Sequence, residues 1–282
     1  MLGSYLLTFR EVLEAALVTA IILAYLSRTD RSVLKKSVWI GVYLAAGASV
    51  IFGAAIWALY GSISEEAGVL FEAIAAFVAV IVLTSMIYWM STRGKTWRSE
   101  IEKKVGGITV ARGAGLGLLA FSFIVVAREG VETVLFLTPF LVQDTTGTLL
   151  GFVLGMLSSL VLSYAIFKMG MAINLRKFFY FTSILLVLMA GGLAGYGVHE
   201  LLEYFEIVNI DTGWLGRAAY SLGIVGDSIW HHKGAIGSIF NVMFGYTAKA
   251  EWARVIVHVA YLIVALPLII REYRRGGESS NP

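Results

Sequence analysis

The chain has 282 residues, of which 58% are hydrophobic and 15% charged, with a formal net charge of +3 and no cysteine. A soluble domain is roughly half apolar and a quarter charged, so this balance, with a mean hydropathy of +0.80, indicates a polytopic membrane protein. The lack of cysteine excludes disulfides and thiolate metal ligands, and the small basic excess speaks for membrane sidedness rather than nucleic acid.

A transmembrane helix needs about 20 apolar residues. Seven segments meet that length, near residues 3–26, 36–60, 67–90, 113–141, 147–170, 179–203 and 252–271. Arg10 is the first charge, so no basic region precedes the first apolar run as in a cleavable signal, and that run reads as a retained span. Basic residues crowd alternate connections: Arg28, Arg31, Lys35 and Lys36; then Arg93, Lys95, Arg98, Lys103, Lys104 and Arg112; then Lys168, Arg176 and Lys177; then Arg271, Arg274 and Arg275. The intervening connections hold Glu65 and Glu66, then Asp144, then an acidic-leaning 204–251 stretch. The positive-inside rule therefore places the N-terminus outside and the C-terminus in the cytoplasm of a multi-pass plasma-membrane protein.

The expected organisation is a three-helix unit over 1–92, a basic cytoplasmic loop over 93–112 and a second three-helix unit over 113–203. An extracytoplasmic loop over 204–251 and a seventh helix with its tail over 252–282 complete it. Within the loop, "WLGRAAYSLGIV" and "GSIFNVMFGY" mix apolar and polar residues, which suggests short interfacial helices. The "GKT" at 94–96 resembles the end of a phosphate loop, but Trp89 stands where that motif needs glycine, so no nucleotide site is indicated.

Charge recurs where it is most expensive. "LLTFREVLEAALV" carries Arg10, Glu11 and Glu14, and "VVAREGVETVLFL" carries Arg128, Glu129 and Glu132, 118 residues later. The copies fall in spans one and four, so the second runs antiparallel to the first. That makes an inverted 3+3 repeat plus one C-terminal helix, a transporter plan with its site near mid-membrane. Residues three or four apart share a helix face, so each helix presents two carboxylates with a guanidinium beside them. Fifteen apolar or small residues, Gly113 to Ala127, precede Arg128. A charge that deep costs at least ~2.5–3.5 kcal/mol on insertion scales and usually marks a substrate or ion path. Arg10 with Glu14 could alone be an interfacial ion pair; the second copy argues against that.

Each triplet is net negative by one, and four carboxylates meeting where the helices cross favour a small multivalent cation. The two arginines would orient the carboxylates and limit the charge of the empty site. All-oxygen ligation suits hard ions such as Fe(III), Mn(II), Mg(II) or Ca(II), among which residue chemistry does not choose. A membrane-embedded carboxylate metalloenzyme is the alternative. Such sites often use Glu-x-x-His, which neither triplet has, so an enzyme is not expected. A purely structural role for the triplets is the third reading.

Further polar residues lie outside the triplets. Glu72 in the third span and Glu200 near the outer end of the sixth occupy broadly corresponding places, and "HELLE" adds His199 and Glu203, four apart. They read as an outer relay or accessory ligands, or else as interfacial caps. "WHHKG" offers His231 and His232, with Asp227 nearby, as a metal-capture point or as solvated loop residues. His258 reads as a packed or interfacial residue of the last span, and Pro139 as a kink just beyond the second triplet.

The paired "REVLE" at 10–14 and "REGVE" at 128–132, in spans one and four of a seven-span chain, resemble the high-affinity iron permease family. That family includes the yeast-type iron permease and the membrane subunit of bacterial elemental-iron uptake systems. The resemblance covers the topology throughout, while motif-level identity is confined to these two helices. It implies uptake of iron as transported substrate, with no tightly bound cofactor. Fe(III) would come from a partner ferroxidase or iron-delivery protein, with Glu11, Glu14, Glu129 and Glu132 as ligands. Some relatives are associated with lead, so another metal such as manganese or lead remains an alternative.

Overall fold

The computed structural model describes residues 1–93, 97–168, 175–223, 237, 240, 241 and 245–278. Eight helices run in chain order among them: α1 (Leu2–Arg28), α2 (Lys35–Tyr60), α3 (Glu65–Arg93), α4 (Trp97–Val110), α5 (Ala114–Gln143), α6 (Thr145–Lys168), α7 (Leu175–Ile207) and α8 (Trp252–Glu278). Six of these, α2, α3, α5, α6, α7 and α8, are long and apolar enough to cross a membrane, which makes the protein polytopic and almost wholly helical. The 27 residues of α1 reach about 40 Å at 1.5 Å each. Every 18-residue stretch of it holds at least three charges, from Arg10, Glu11, Glu14 and Arg28, whereas α5 has an 18-residue stretch with only two, so composition rather than length sets α1 apart.

The sheet is a departure from an all-helical chain. Strands β1 (Ala218–Ser221) and β2 (Lys249–Glu251) pair antiparallel, with Tyr220 opposite Ala250 and an irregularity between Ala218 and Tyr220. Of the stretch 214–225, expected as an interfacial helix, the described residues 214–223 form a turn and then β1. The partner strand arrives from nearly thirty residues away, beyond the reach of any local pattern. Of the second expected interfacial helix only Gly237, Phe240 and Asn241 are described as helical before Gly245. Residues 94–96 and the Asp227, His231 and His232 group lie outside the described residues. Helix α7 continues to Ile207, past the expected end of its span.

The basic connection is also more ordered than a loop. Helix α4 buries Ile101 and Val105 against Val18, Ile22 and Leu26 of α1, Val38 of α2 and Leu118 of α5. Its polar side takes Arg28, the last residue of α1, onto Glu102 at 2.8 Å, with Arg98 on the same oxygen at 3.2 Å. These hydrogen bonds, from Arg98 first and then Arg28, hold the Glu102 carboxyl below the usual carboxylate range against slight burial. Gly113 joins α4 to α5 with φ 81°, a left-handed conformation that glycine adopts without steric cost.

Helix pairing is reciprocal. α1 lies chiefly along α6 and α5 chiefly along α2, while α3 lies along α7 and α1 crosses α5. Small residues allow the first two contacts. A Cβ on Gly151 of α6 would strike the Ser4 hydroxyl and Met1 carbonyl of α1, and one on Gly41 of α2 would strike the Ser122 hydroxyl and Leu119 carbonyl of α5. Ser4 and Ser122 are separated by the same 118 residues as the triplets, and each glycine is the seventh residue of its helix. Membrane helices use such small residues to approach closely, since lipid gives no hydrophobic drive to associate. The central core joins Leu7, Leu83, Ile87, Phe136, Leu186 and Met189, with α8 adding Ala265 and Ile269.

Candidate metal centre

The first triplet is sealed. Arg10 is 2% exposed and forks onto its own helix, with Nη1 2.7 Å from Glu11 Oε1 and Nη2 2.6 Å from Glu14 Oε1. The second pair meets by charge without hydrogen-bond geometry, since Glu14 Oε1 has no donor. Arg10 Nη1 also donates to the Met86 thioether of α3. The second triplet repeats the spacing in looser form. Arg128 Nη2 is 3.2 Å from Glu129 Oε1 and Nε is 3.1 Å from Glu132 Oε1, with the arginine side chain 47% exposed. Its Cζ stands over the Trp89 ring of α3 at 5.4 Å from the centroid.

Where α1 crosses α5, carboxylates from both helices converge. Glu11, Glu129 and Glu132 each present an oxygen within 4.8 Å of the other two. Glu14 stands outside that trio, three residues from Glu11 on the same helix. Buried oxygens of all four, Glu11 Oε2, Glu14 Oε1, Glu129 Oε2 and Glu132 Oε2, have no hydrogen-bond donor. A buried carboxylate oxygen without a donor is costly. The oxygens of the converging trio, with Glu14 beside them, form an acceptor set that a cation or protons would satisfy. Oxygens this close can share one hard ion at the usual 2.0–2.6 Å after a small contraction, by typical coordination lengths.

A second polar cluster sits at the other end of α3. Tyr60 donates to Glu72 Oε1 at 2.8 Å, and Tyr196 donates to Glu72 Oε2. His199 Nδ1 pairs with Glu251 Oε1 at 3.3 Å, and His199, Glu200 and Glu203 present ligand atoms within 4.8 Å of one another. Glu200 is buried and Glu203 exposed. Burial raises the Glu251 carboxyl, but the His199 hydrogen bond and nearby positive charge outweigh it and hold it below its ordinary range. Glu72 and Glu200 are not in corresponding places: Glu72 is the eighth residue of α3, whereas Glu200 is eighth from the end of α7. They meet because those helices pack together. Glu72 lies fourteen residues from Met86, about 21 Å along the helix axis, so this cluster is remote from Arg10.

The structure therefore brings Glu11, Glu129 and Glu132 together, sets Glu14 beside them and ion-pairs both arginines. It gathers Glu72, His199, Glu200 and Glu203 elsewhere. His258 lies in α8 with Nδ1 buried and unpartnered beside Gly245. Tyr60, Tyr196, Glu251, Met86 and Trp89 were not singled out from sequence as site residues. Tyr196 alone had a local signal, four residues before Glu200 on one helix face.

Comparison with known proteins follows this geometry. Residues 1–271 match the iron permease FTR1 family. An uncharacterized protein of Archaeoglobus fulgidus is 42% identical over 99% of this chain and 98% of its own. The ferrous iron permease EfeU of Yersinia pestis is 34% identical over 94% of this chain and 91% of its own. The ferrous iron permease EfeU of Escherichia coli O6:H1 is 32% identical over 98% of each chain. No solved structure matches the chain significantly.

Proposed function

The chain belongs to the iron permease FTR1 family, and from that membership we propose that it imports iron through the carboxylate centre between α1 and α5. Glu11, Glu129 and Glu132 hold the ion, Glu14 completes the anionic set, and Arg10 and Arg128 orient the carboxylates. The observation that carries this reading is the set of four buried, donor-less carboxylate oxygens drawn from two helices. Structural ion pairs would use such oxygens up; Glu11 Oε2, Glu129 Oε2 and Glu132 Oε2 are left over, and Glu14 Oε1 is met only by the charge of Arg10. On this reading α1 spans the cytoplasmic membrane with the six apolar helices, N-terminus outside and C-terminus inside, and the reciprocal pairing of α1–α3 with α5–α7 supports an inverted repeat.

Two readings of the ion differ in oxidation state. The all-oxygen donor set favours Fe(III), which would need a ferroxidase or delivery protein outside. The names of the Yersinia and Escherichia relatives favour ferrous iron. The cluster of Glu72, His199, Glu200 and Glu203 is proposed as an accessory acceptor on the outer side.

Reconstituted protein should pass iron into liposomes. Glu11→Gln, Glu129→Gln and Glu132→Gln, which keep volume and remove the anion, should abolish flux while the protein still inserts. Flux with Fe(II) held reduced, against flux with Fe(III) supplied as a chelate, separates the two ions. Manganese and lead tested beside them separate the metals. Wild-type rates in the three Gln variants would remove the carboxylate centre. Chemical turnover without flux would favour the enzyme.

A further inference from the structure

We infer that helix α3, which contributes no carboxylate to the centre, sets its geometry through the two arginines, with Trp89 as the positioning residue for Arg128. This rests on the carboxylate centre proposed above.

Met86 and Trp89 are three residues apart and so share a face of α3. Met86 accepts from Arg10, the guanidinium of the first triplet, and Trp89 stacks on Arg128, the guanidinium of the second. One helical turn of α3 thus touches both cations. The two contacts differ in need. Arg10 is enclosed and held in a fork by its own helix. Arg128 is half exposed and its ion-pair distances are longer, so an aromatic face at 5.4 Å adds restraint where the ion pairs give less. The ring is itself held in place. Trp89 packs on a cluster of Leu13 and Leu17 from α1, Met90, and Phe179 from α7. Leu13 adjoins Glu14 in sequence, so the ring ties the register of the first triplet to the guanidinium of the second. Arg128 in turn holds Glu129 and Glu132, two of the three carboxylates that converge. A guanidinium free to swing would let both drift from the ion, and loss of such outer support typically costs about 10–100-fold in metal affinity.

The test is a coupling measurement on detergent-purified protein, with ferrous ion titrated anaerobically. Trp89→Leu should weaken ferrous affinity by about 3–10-fold, the range a lost cation–aromatic contact allows. Trp89→Phe, which keeps an aromatic face, should retain most of the affinity; it also serves should the Leu variant not fold. In an Arg128→Gln background the Trp89 substitutions should cost nothing further. Equal losses with and without Arg128, or wild-type affinity for Trp89→Leu, would overturn the inference, because Trp89 would then be packing alone. Wild-type ferrous affinity in Glu11→Gln and Glu132→Gln would instead overturn the carboxylate centre and this inference with it. Intact dependence on the glutamates without Trp89–Arg128 coupling overturns the inference only.

Discussion

Replacing each arginine in turn exploits the unequal burial of the two triplets. Arg10→Gln removes the only cation paired, among the described residues, with Glu11 and Glu14, both 1% exposed, and leaves their carboxylates enclosed. Removing one partner of a buried pair typically costs about 3–5 kcal/mol, because the other charge stays behind without compensation. Arg128→Gln breaks two longer contacts of a side chain that is 47% exposed, made to carboxylates that are 5% and 14% exposed. Solvent screening brings such pairs to about 0.2–1 kcal/mol each, so the total loss should stay near or below 2 kcal/mol. The two variants should therefore differ by several-fold in destabilisation, read as melting temperature in one detergent without metal. Arg10→Lys extends the comparison, since ammonium cannot make a two-point fork. It should fold and yet bind iron about 10–100-fold more weakly, the usual effect of lost ligand orientation. Equal melting temperatures for Arg10→Gln and Arg128→Gln would refute the argument, since burial would then not govern the cost. Unchanged iron affinity in Arg10→Lys would reduce Arg10 to charge balance.

Two further outcomes are expected. Metal ligation needs deprotonated carboxylates, so iron affinity should be greatest at high pH and fall as pH is lowered from about 8 to 5; affinity independent of pH would mean that the glutamates are not ligands. Single cysteines at the exposed positions Ser32 and Ser99 should be shielded from an impermeant thiol reagent in intact cells while one at the exposed Thr146 is labelled, and the opposite pattern would reverse the orientation and the direction of transport.

The long helices were legible because each is a run of about twenty apolar residues, a signal that needs no tertiary context. The expected span at 36–60 and the observed α2 at Lys35–Tyr60 differ by one residue. Helix α4 was hidden because its apolar positions are few and become meaningful only when Val18, Ile22 and Leu26 of α1 cover Ile101 and Val105. The β1–β2 pairing was hidden because strands of four and three residues carry little pattern. In the centre, residue types and spacing were legible from the repeat, and the meeting of Glu11 with Glu129 and Glu132 followed from helices that cross. The inequality of the two triplets was not, since identical local spacing predicts identical surroundings. What differs is the neighbour, a thioether enclosing Arg10 and an indole face beside an open Arg128.

That inequality bears on how a two-half carrier works. If the halves were equivalent in every respect, Arg10 and Arg128 would be equally exposed, and a centre open on both would leak. Helix pairing obeys the equivalence, with the Ser4–Gly151 contact mirrored by Ser122–Gly41, but the triplets break it at 2% against 47% exposure. A half-exposed arginine side chain facing lipid at that depth would be expensive, so on the carrier reading proposed above the face of α5 beside Arg128 would be the one that meets water. On the inverted-repeat reading, exchanging the two environments would close Arg128 and open Arg10 while the carboxylates between them stay put, which is the alternation an inverted-repeat carrier requires. On that same proposed reading, symmetric pairing would let either triplet be the open one, and unequal exposure would keep both from opening together.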